Sequence, residues 1–356
     1  MNRSRHVMIV AAFLMAAAGP VSAETLFTNT LTRVAFGSCL HQDDPQPVWD
    51  AITEAQPDLF LLIGDSIYLD TTNATDKAEA YEKQRSNPGF REFVKTCPWW
   101  GIWDDHDYGY NDAGGEYPQR EISQNLFLDF VGEPEDSPRW TREGLYGARV
   151  YGPPGRQVQI ILLDTRSFRS PLHPMNPRLP GEGPYDATTD RDATLLGPAQ
   201  WTWFREQLRK PAQLRLVVSG IQVVAQDHHW EKWMNFPHER QLLLDMISDT
   251  EADGVIFLSG DRHRAELSLL PDGAPYPLYD LTSSSLNMKP DIPLAEINPR
   301  RVSQVYTGDN FGLVTIDWEK PDPLITLEIR SDRGETVIQH SFSLRAIQAA
   351  GRELPY

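Results

Sequence analysis

The chain has 356 residues, 40% of them apolar and ten of them tryptophan, enough to fill the core of one large domain or two small ones. Acidic side chains outnumber basic ones by 50 to 33, for a formal charge of -17. A field of that sign repels polyanions at long range and favours cations, which argues against a nucleic-acid-binding module.

Arg3 and Arg5 stand ahead of an apolar run over residues 7–18, and Val21, Ser22 and Ala23 follow as a cleavage site. This predicts a secretory signal peptide over residues 1–23. The run is too short to span a bilayer comfortably, and no later segment approaches one. A periplasmic or secreted protein without a transmembrane segment is therefore expected. Ser4 separates the two arginines, so the general secretory route is expected rather than the twin-arginine one.

Short apolar runs ending in polar residues then alternate with helical patterns. The runs are RVAFGSC, DLFLLIGD, WWGIWDD, VQIILLDTR, LRLVVSG and GVIFLSGD, and they read as strands. Residues 47–55, 76–95, 122–130, 198–208 and 237–247 read as helices, and the class is α/β. Residues 171–184, rich in proline, predict a long loop. Beyond SGDRHR the pattern changes to ELSLL, YPLYDLTSS, FGLVTIDW, PLITLEIRS and TVIQHSFSL, which predict a meander of antiparallel strands.

Ligands of open α/β sheets gather beyond the carboxyl ends of the strands. Here those ends carry Cys39, then Asp65 and Tyr68, then Asp104 to Asp107, then Asp261 and His263. One aspartate after a strand is ordinarily a cap or turn residue. Four successive ends of this kind predict a metal centre, because crowded carboxylates do not all ionise without a cation. Asp65 is the best bridging candidate between two ions. A thiolate and a phenolate suit iron or zinc, while carboxylate and amide oxygens suit calcium, magnesium or manganese. In an exported protein Cys39 and Cys97 would ordinarily be read as a disulfide, but ligation offers Cys39 other employment.

FGSC, GDSIY, WDDHDYGYND, LLDTRSFR and SGDRHR, in that order, resemble the PhoD-like alkaline phosphatases of the calcineurin-like metallophosphoesterase superfamily. The resemblance implies a four-layer αββα sandwich with mixed sheets, here a single catalytic domain over residues 24–345 followed by a tail over 346–356. It implies iron (or zinc) plus calcium (or another divalent ion), and hydrolysis of phosphoric mono- or diesters by a metal-bound hydroxide. Cys39, Asp65, Tyr68, Asp261 and His263 match the family's metal ligands. Within WDDHDYGYND, Asp105 and Asn111 are both candidate ligands, and His106 is the candidate catalytic residue that stabilises the transition state or protonates the leaving group. Larger members carry a β-domain ahead of the Gly-Ser-Cys motif, and only a short segment precedes it here.

Arg166 and Arg169 follow a strand end, and a guanidinium matches phosphate oxygens bidentately, so Arg166 is the candidate substrate-binding residue. His228 and His229 are weaker candidates for ligands or substrate contacts. Trp201 and Trp203 read as packing residues, and His41 and His173 as loop histidines. The expected partner is a small-molecule or polymer phosphate ester. The rival expectation is an exported metal-containing binding protein without turnover.

Overall fold

Runs such as LFLLI and LRLVVS are buried along their whole length and must be covered on both faces. In the computed structural model they are inner strands of two mixed sheets. The structure describes residues 26–178, 182–288 and 296–350, so the predicted signal peptide lies outside the described residues.

In chain order, β1 (Leu26–Phe27), β2 (Arg33–Gly37), α1 (Val48–Glu54) and β3 (Leu59–Ile63) come first. Next are α2 (Ala74–Ser86), α3 (Pro88–Phe93), β4 (Trp99–Ile102), α4 (Asp105–Tyr108) and α5 (Arg120–Val131). The middle holds β5 (Gly147–Tyr151), β6 (Val158–Leu163), the two-residue β7 (His173–Pro174) and β8 (Tyr185–Asp186), α6 (Gly197–Leu208) and β9 (Leu214–Ser219). Then follow α7 (Pro237–Asp249), β10 (Val255–Ser259), β11 (Ala265–Leu270), β12 (Leu278–Ser283), β13 (Asn310–Asp317), β14 (Leu324–Ser331) and β15 (Thr336–Ser343).

One sheet has the order β1-β5-β6-β9-β10-β12-β11 and the other β15-β14-β13-β2-β3-β4. Helices lie outside both, giving the expected αββα sandwich. Trp49 of α1 packs on Phe60 of β3, while the Gln200 side chain of α6 bonds the backbone of Asp164 just after β6. Parallel pairings join β2 to β3, β3 to β4, β6 to β9 and β9 to β10. The carboxyl ends of β2, β3 and β4 in one sheet therefore meet those of β6, β9 and β10 in the other. The Leu344–Ile347 turn buries Leu344 and Ile347 in the core.

Two expectations need correction, and one strand is unanticipated. The helix expected over 76–95 is two helices, because Pro88 has no N–H to continue α2 and Asn87 caps α3 by accepting from the N–H groups of Gly89 and Phe90. The C-terminal strands are not one meander. β11 and β12 extend the first sheet beside β10, while β13 to β15 form antiparallel pairs in the second, with β13 against β2. The half-buried GARVY segment lacks a long apolar run, yet it forms β5 and pairs antiparallel with β6.

Trp49 ties α1 to α3 and β3: its ring lies 5.6 Å from Phe60, 5.1 Å from Phe90 and 5.2 Å from Phe93, and its N–H donates to Gln46. Truncating a buried aromatic typically costs about 3–5 kcal/mol. Trp49→Ala should therefore lower the urea midpoint by that amount of unfolding free energy, and an unchanged midpoint would remove Trp49 from the core.

Candidate metal centre

The loops that present the predicted ligands are bent into a conformation that side chains with a Cβ avoid. Cys39, Asp65, Asp261 and His263 have φ of 60°, 50°, 70° and 48°. Such left-handed residues cost of order 1–3 kcal/mol each and persist where the surroundings over-determine them. The bends are tied together: Cys39 N–H donates to Gly64 O at 3.3 Å, Leu40 N–H to Asp65 O at 2.8 Å, and Gly260 N–H to Gly220 O at 2.9 Å. Glycines clear the space. A Cβ on Gly220 would stand 2.3 Å from Asp104 Oδ1, and one on Gly64 (φ 121°) 2.5 Å from the Asp104 Cβ.

Two groups of ligand-type atoms result, each within 4.8 Å of one another: Cys39, Asp65 and His263, and Asp65, Asp104 and Asp105. Asp65 belongs to both. Cys39 Sγ is 3.5 Å from Asp65 Oδ2, and the Tyr68 hydroxyl is 3.1 Å from the same oxygen and 2.9 Å from His263 Nε2. Tyr68 thus stands in the first group. Asp261 belongs to neither group, although the charges of Asp104 and Asp105 reach it.

Burial is the largest influence on these groups. It raises the Asp65 carboxyl well above the usual range, and Asp105, Cys39, Asp104 and Asp107 raise it further. Asp261 is raised likewise by burial, with Arg262 opposing and Asp104, Asp105 and Glu231 adding to the rise. Asp104 is pushed up to about 8 by burial despite the opposing charge of Arg166. Burial also lifts the Cys39 thiol to about 11 and the Tyr68 phenol well above its ordinary value. Protons would occupy several of these groups at neutral pH unless cations replaced them. Asp104 Oδ2 and Asp105 Oδ1 are buried without a hydrogen-bond partner. The donor set and these orphaned oxygens fit bound cations.

His106 sits beside the second group. Its Nδ1 is 2.8 Å from Asp70 Oδ1, its ring centroid is 4.3 Å from that of Tyr68, and its backbone N–H donates to Asp65 Oδ1 at 3.3 Å. Burial pulls the imidazole down, but Asp105 and then Asp70 outweigh it and lift the group to about 9. Asn111, by contrast, is exposed and donates to Asp112 Oδ2 at 2.6 Å, outside both groups. Asp112 supports Asp105 by donating its backbone N–H to Oδ2 at 2.7 Å, and itself accepts from Tyr185 of the long loop at 2.7 Å.

Arg166 is fully buried beneath the cluster. Its Nε donates to Asp104 Oδ1 at 2.6 Å and its Nη1 to Glu231 Oε2 at 2.7 Å, while Nη2 lies 4.0 Å from Asp105 Oδ1. Arg169 reaches the other oxygen of Glu231 at 3.0 Å. Asp164 bonds the backbone N–H groups of Arg166 and Ser167 rather than the guanidinium. His228 is buried on Gln222, His229 sits between Glu182 and Asp186, His41 stacks on Tyr68, and Trp201 and Trp203 pack on Trp233 and Tyr146. His173, exposed, lies in β7.

The family model of the PhoD-like phosphatases matches residues 144–312. A solved structure described as "Structure of PhoD" superposes with a TM-score of 0.71 at 17% identity, covering 92% of this chain and 72% of that one, a likeness of fold. Over residues 144–312, a little under half of the chain, the sequence resembles the PhoD-like phosphatases. A crystal structure of TT1561 from Thermus thermophilus covers 85% of this chain and all of its own, but at 11% identity and a TM-score of 0.38 it carries no argument. No curated protein matches the sequence. The matched stretch holds Arg166, Asp261 and His263, so the grouping of Cys39, Asp65 and Asp105 rests on the geometry above.

Sequence reasoning gave no role to Asp70, Glu231 or Ser284, and did not single out Asp104. Ser284 Oγ is 3.1 Å from Cys39 Sγ and accepts the His263 N–H at 2.9 Å, joining two loops more than 200 residues apart in sequence from one hydroxyl. Only Asp104 carried a signal, its place at a strand end.

Both cysteines are buried free thiols, and Cys97 bonds the carbonyls of Pro57 and Pro98 at the amino ends of β3 and β4, whereas the ligands lie at the carboxyl ends. Cys39→Ala should therefore lose metal while the protein still folds, and Cys97→Ser should keep it. Elemental analysis beside circular dichroism checks both, and equal losses in the two variants would contradict the arrangement.

Proposed function

We propose that the protein is an exported, metal-dependent hydrolase of phosphoric mono- or diesters. The observation that carries the reading is the membership of Asp65 in both ligand groups, the arrangement of a carboxylate that bridges two ions. Cys39, Tyr68 and His263 would hold iron or zinc on one side of Asp65. Asp104 or Asp105, with Asp261, would hold calcium or another divalent ion on the other. When bound, such ions supply charge neutralisation at the phosphoryl group and lower the pKa of water.

In hydrolysis the oxygen of water bonds to phosphorus as the ester P–O bond breaks, and the leaving oxygen takes a proton. His106 is placed to give that proton. Asp70 on Nδ1 fixes the ring and leaves Nε2 for the substrate. Arg166 fits a supporting role better than the expected direct contact with phosphate, because its guanidinium is fully buried and committed to Asp104 and Glu231. It holds Asp104 in place and faces Asp105 with its remaining nitrogen. The substrate is a small-molecule or polymer phosphate ester reached from outside the cell. Among the described residues no helix is long and apolar enough to cross a membrane.

Loss of a general acid typically costs about 10² to 10⁴ in rate. His106→Ala should lower turnover by that order with metal content unchanged, and the loss should shrink for esters with good leaving groups such as p-nitrophenol. Asp70→Asn should show the same leaving-group trend at a smaller size. No turnover of mono- or bis-esters by fully metal-loaded protein would overturn the reading.

Exhaustive chelation should abolish hydrolysis, and readdition of iron or zinc with calcium should restore it. A rate unchanged after demonstrated metal removal would exclude a metal-dependent reaction.

A further inference from the structure

The loop bearing Asp261 and His263 also carries Arg262 and Arg264, 2% and 0% exposed. Among the described residues none of the three guanidinium nitrogens of Arg264 has a hydrogen-bond partner. The carboxylate oxygen nearest to it, Glu296 Oε2, is 3.8 Å away and is already engaged by Arg262. Arg262 Nε and Arg301 Nη2 are likewise buried without an acceptor. The Lys232 ammonium, on a residue 5% exposed, donates among the described residues to the carbonyls of His228 and Trp230.

Three carboxylates face this group: Glu266, Glu296 and Asp261, whose Oδ2 lies 3.7 Å from Arg262 Nη1. Glu266 is saturated, accepting from Arg301, Gln222 and Asn298. Glu296 serves Arg262. Asp227 and Asp186 act on Lys232 as well, and Asp186 is paired with His229. His228, held on Gln222 Oε1 at 3.1 Å, stays neutral because burial and the charges of Arg262, Lys232, Arg264 and Arg301 disfavour its cation. Arg166 shows what a paired buried guanidinium looks like in this molecule, with carboxylates at 2.6 and 2.7 Å on two of its nitrogens, although its Nη2 has no hydrogen-bond partner. Arg264 has no such partner, and buried cations are ordinarily paired.

We propose that Arg264, with Arg262 and Arg301, forms a buried binding site for one compact inorganic anion, behind the loop that carries Asp261 and His263 and separate from the phosphoryl site. Arg262 and Arg264 are buried and Arg301, 15% exposed, contributes a buried Nη2, an enclosure that suits a compact ion, and their unused N–H groups supply its hydrogen bonds. The ion is chloride or inorganic phosphate. The inference does not depend on the proposed activity.

The test uses full-length purified protein exchanged into sodium gluconate, whose anion is too bulky for such a site. Melting temperature is followed as gluconate is replaced at constant ionic strength by chloride, bromide or inorganic phosphate, for wild type and Arg264→Met. A saturable rise of a few degrees in wild type, absent from Arg264→Met, is expected, because a ligand that binds only the native state stabilises it. A rise with the halides assigns the site to chloride, and a rise with phosphate alone, also lost in Arg264→Met, assigns it to the oxyanion. If Arg264→Met does not fold, Arg264→Lys and an anomalous map of wild-type crystals grown in bromide or, for the oxyanion, density in crystals grown in phosphate decide. The proposal is overturned by no saturable rise with any anion, by a phosphate effect that persists unchanged in the variant while halides are silent, or by water or a protein side chain on Arg264 in both crystals.

Discussion

The organising constraint of this molecule is negative charge held out of water. Asp65, Asp104, Asp105, Asp107 and Asp261 converge at the carboxyl ends of strands from two sheets, where burial disfavours their ionised forms. Much of the surrounding architecture reads as a response to that charge. Asp107 is absorbed structurally, accepting from Ser66 and from the N–H of Asp104, which fixes the start of α4 against the loop after β3. Asp104 is met by Arg166, which also pairs with Glu231, a carboxylate shared with Arg169. What remains unsatisfied, Asp104 Oδ2 and Asp105 Oδ1, lies beside the shared carboxylate of Asp65.

The same constraint explains where strain and small residues are placed. Four of the predicted ligands adopt positive φ, and each follows closely on the end of an inner strand. A strand running straight would carry its next side chain past the cleft, and the left-handed turn redirects it inward at a local cost. Gly64 and Gly220 make the complementary concession, since a side chain at either would collide with Asp104. Stability given up at the strand ends is offset by the almost wholly apolar sandwich beneath them, in which one buried cluster extends from Leu31 to Ile347.

Long-range links also join the site to the loop between β6 and α6. Tyr185 bonds Asp112, Asp112 bonds Asp105, and His229 is held between Glu182 and Asp186. This loop thereby reaches the cluster through two hydrogen bonds. Chains of this kind are invisible in sequence, because each member is an ordinary polar residue until the fold brings it to its partner.

The sequence by itself determined the class of fold and the positions of most chemistry-bearing residues. Apolar runs ending in Cys39, Asp65, Asp104 and Asp261 are local patterns, and the topology of parallel strands makes those ends coincide. It also showed the longer helices by their periodicity, failing where Pro88 interrupts what reads as one pattern and at the single turn of α4. Only the tertiary structure decided which residues act together. WDDHDYGYND offers six candidate side chains within a few residues, and the fold sends Asp105 to the cluster, Asp107 to Ser66, His106 to Asp70 and Asn111 to Asp112. Arg166 reads as a free guanidinium after a strand and becomes a buried counter-ion, while Glu231, 65 residues on, is unremarkable until it meets it. The physical reason is the same in each case: composition and period report what a residue can do, whereas burial and the partner at hydrogen-bond distance, both set by segments far away in the chain, decide what it does.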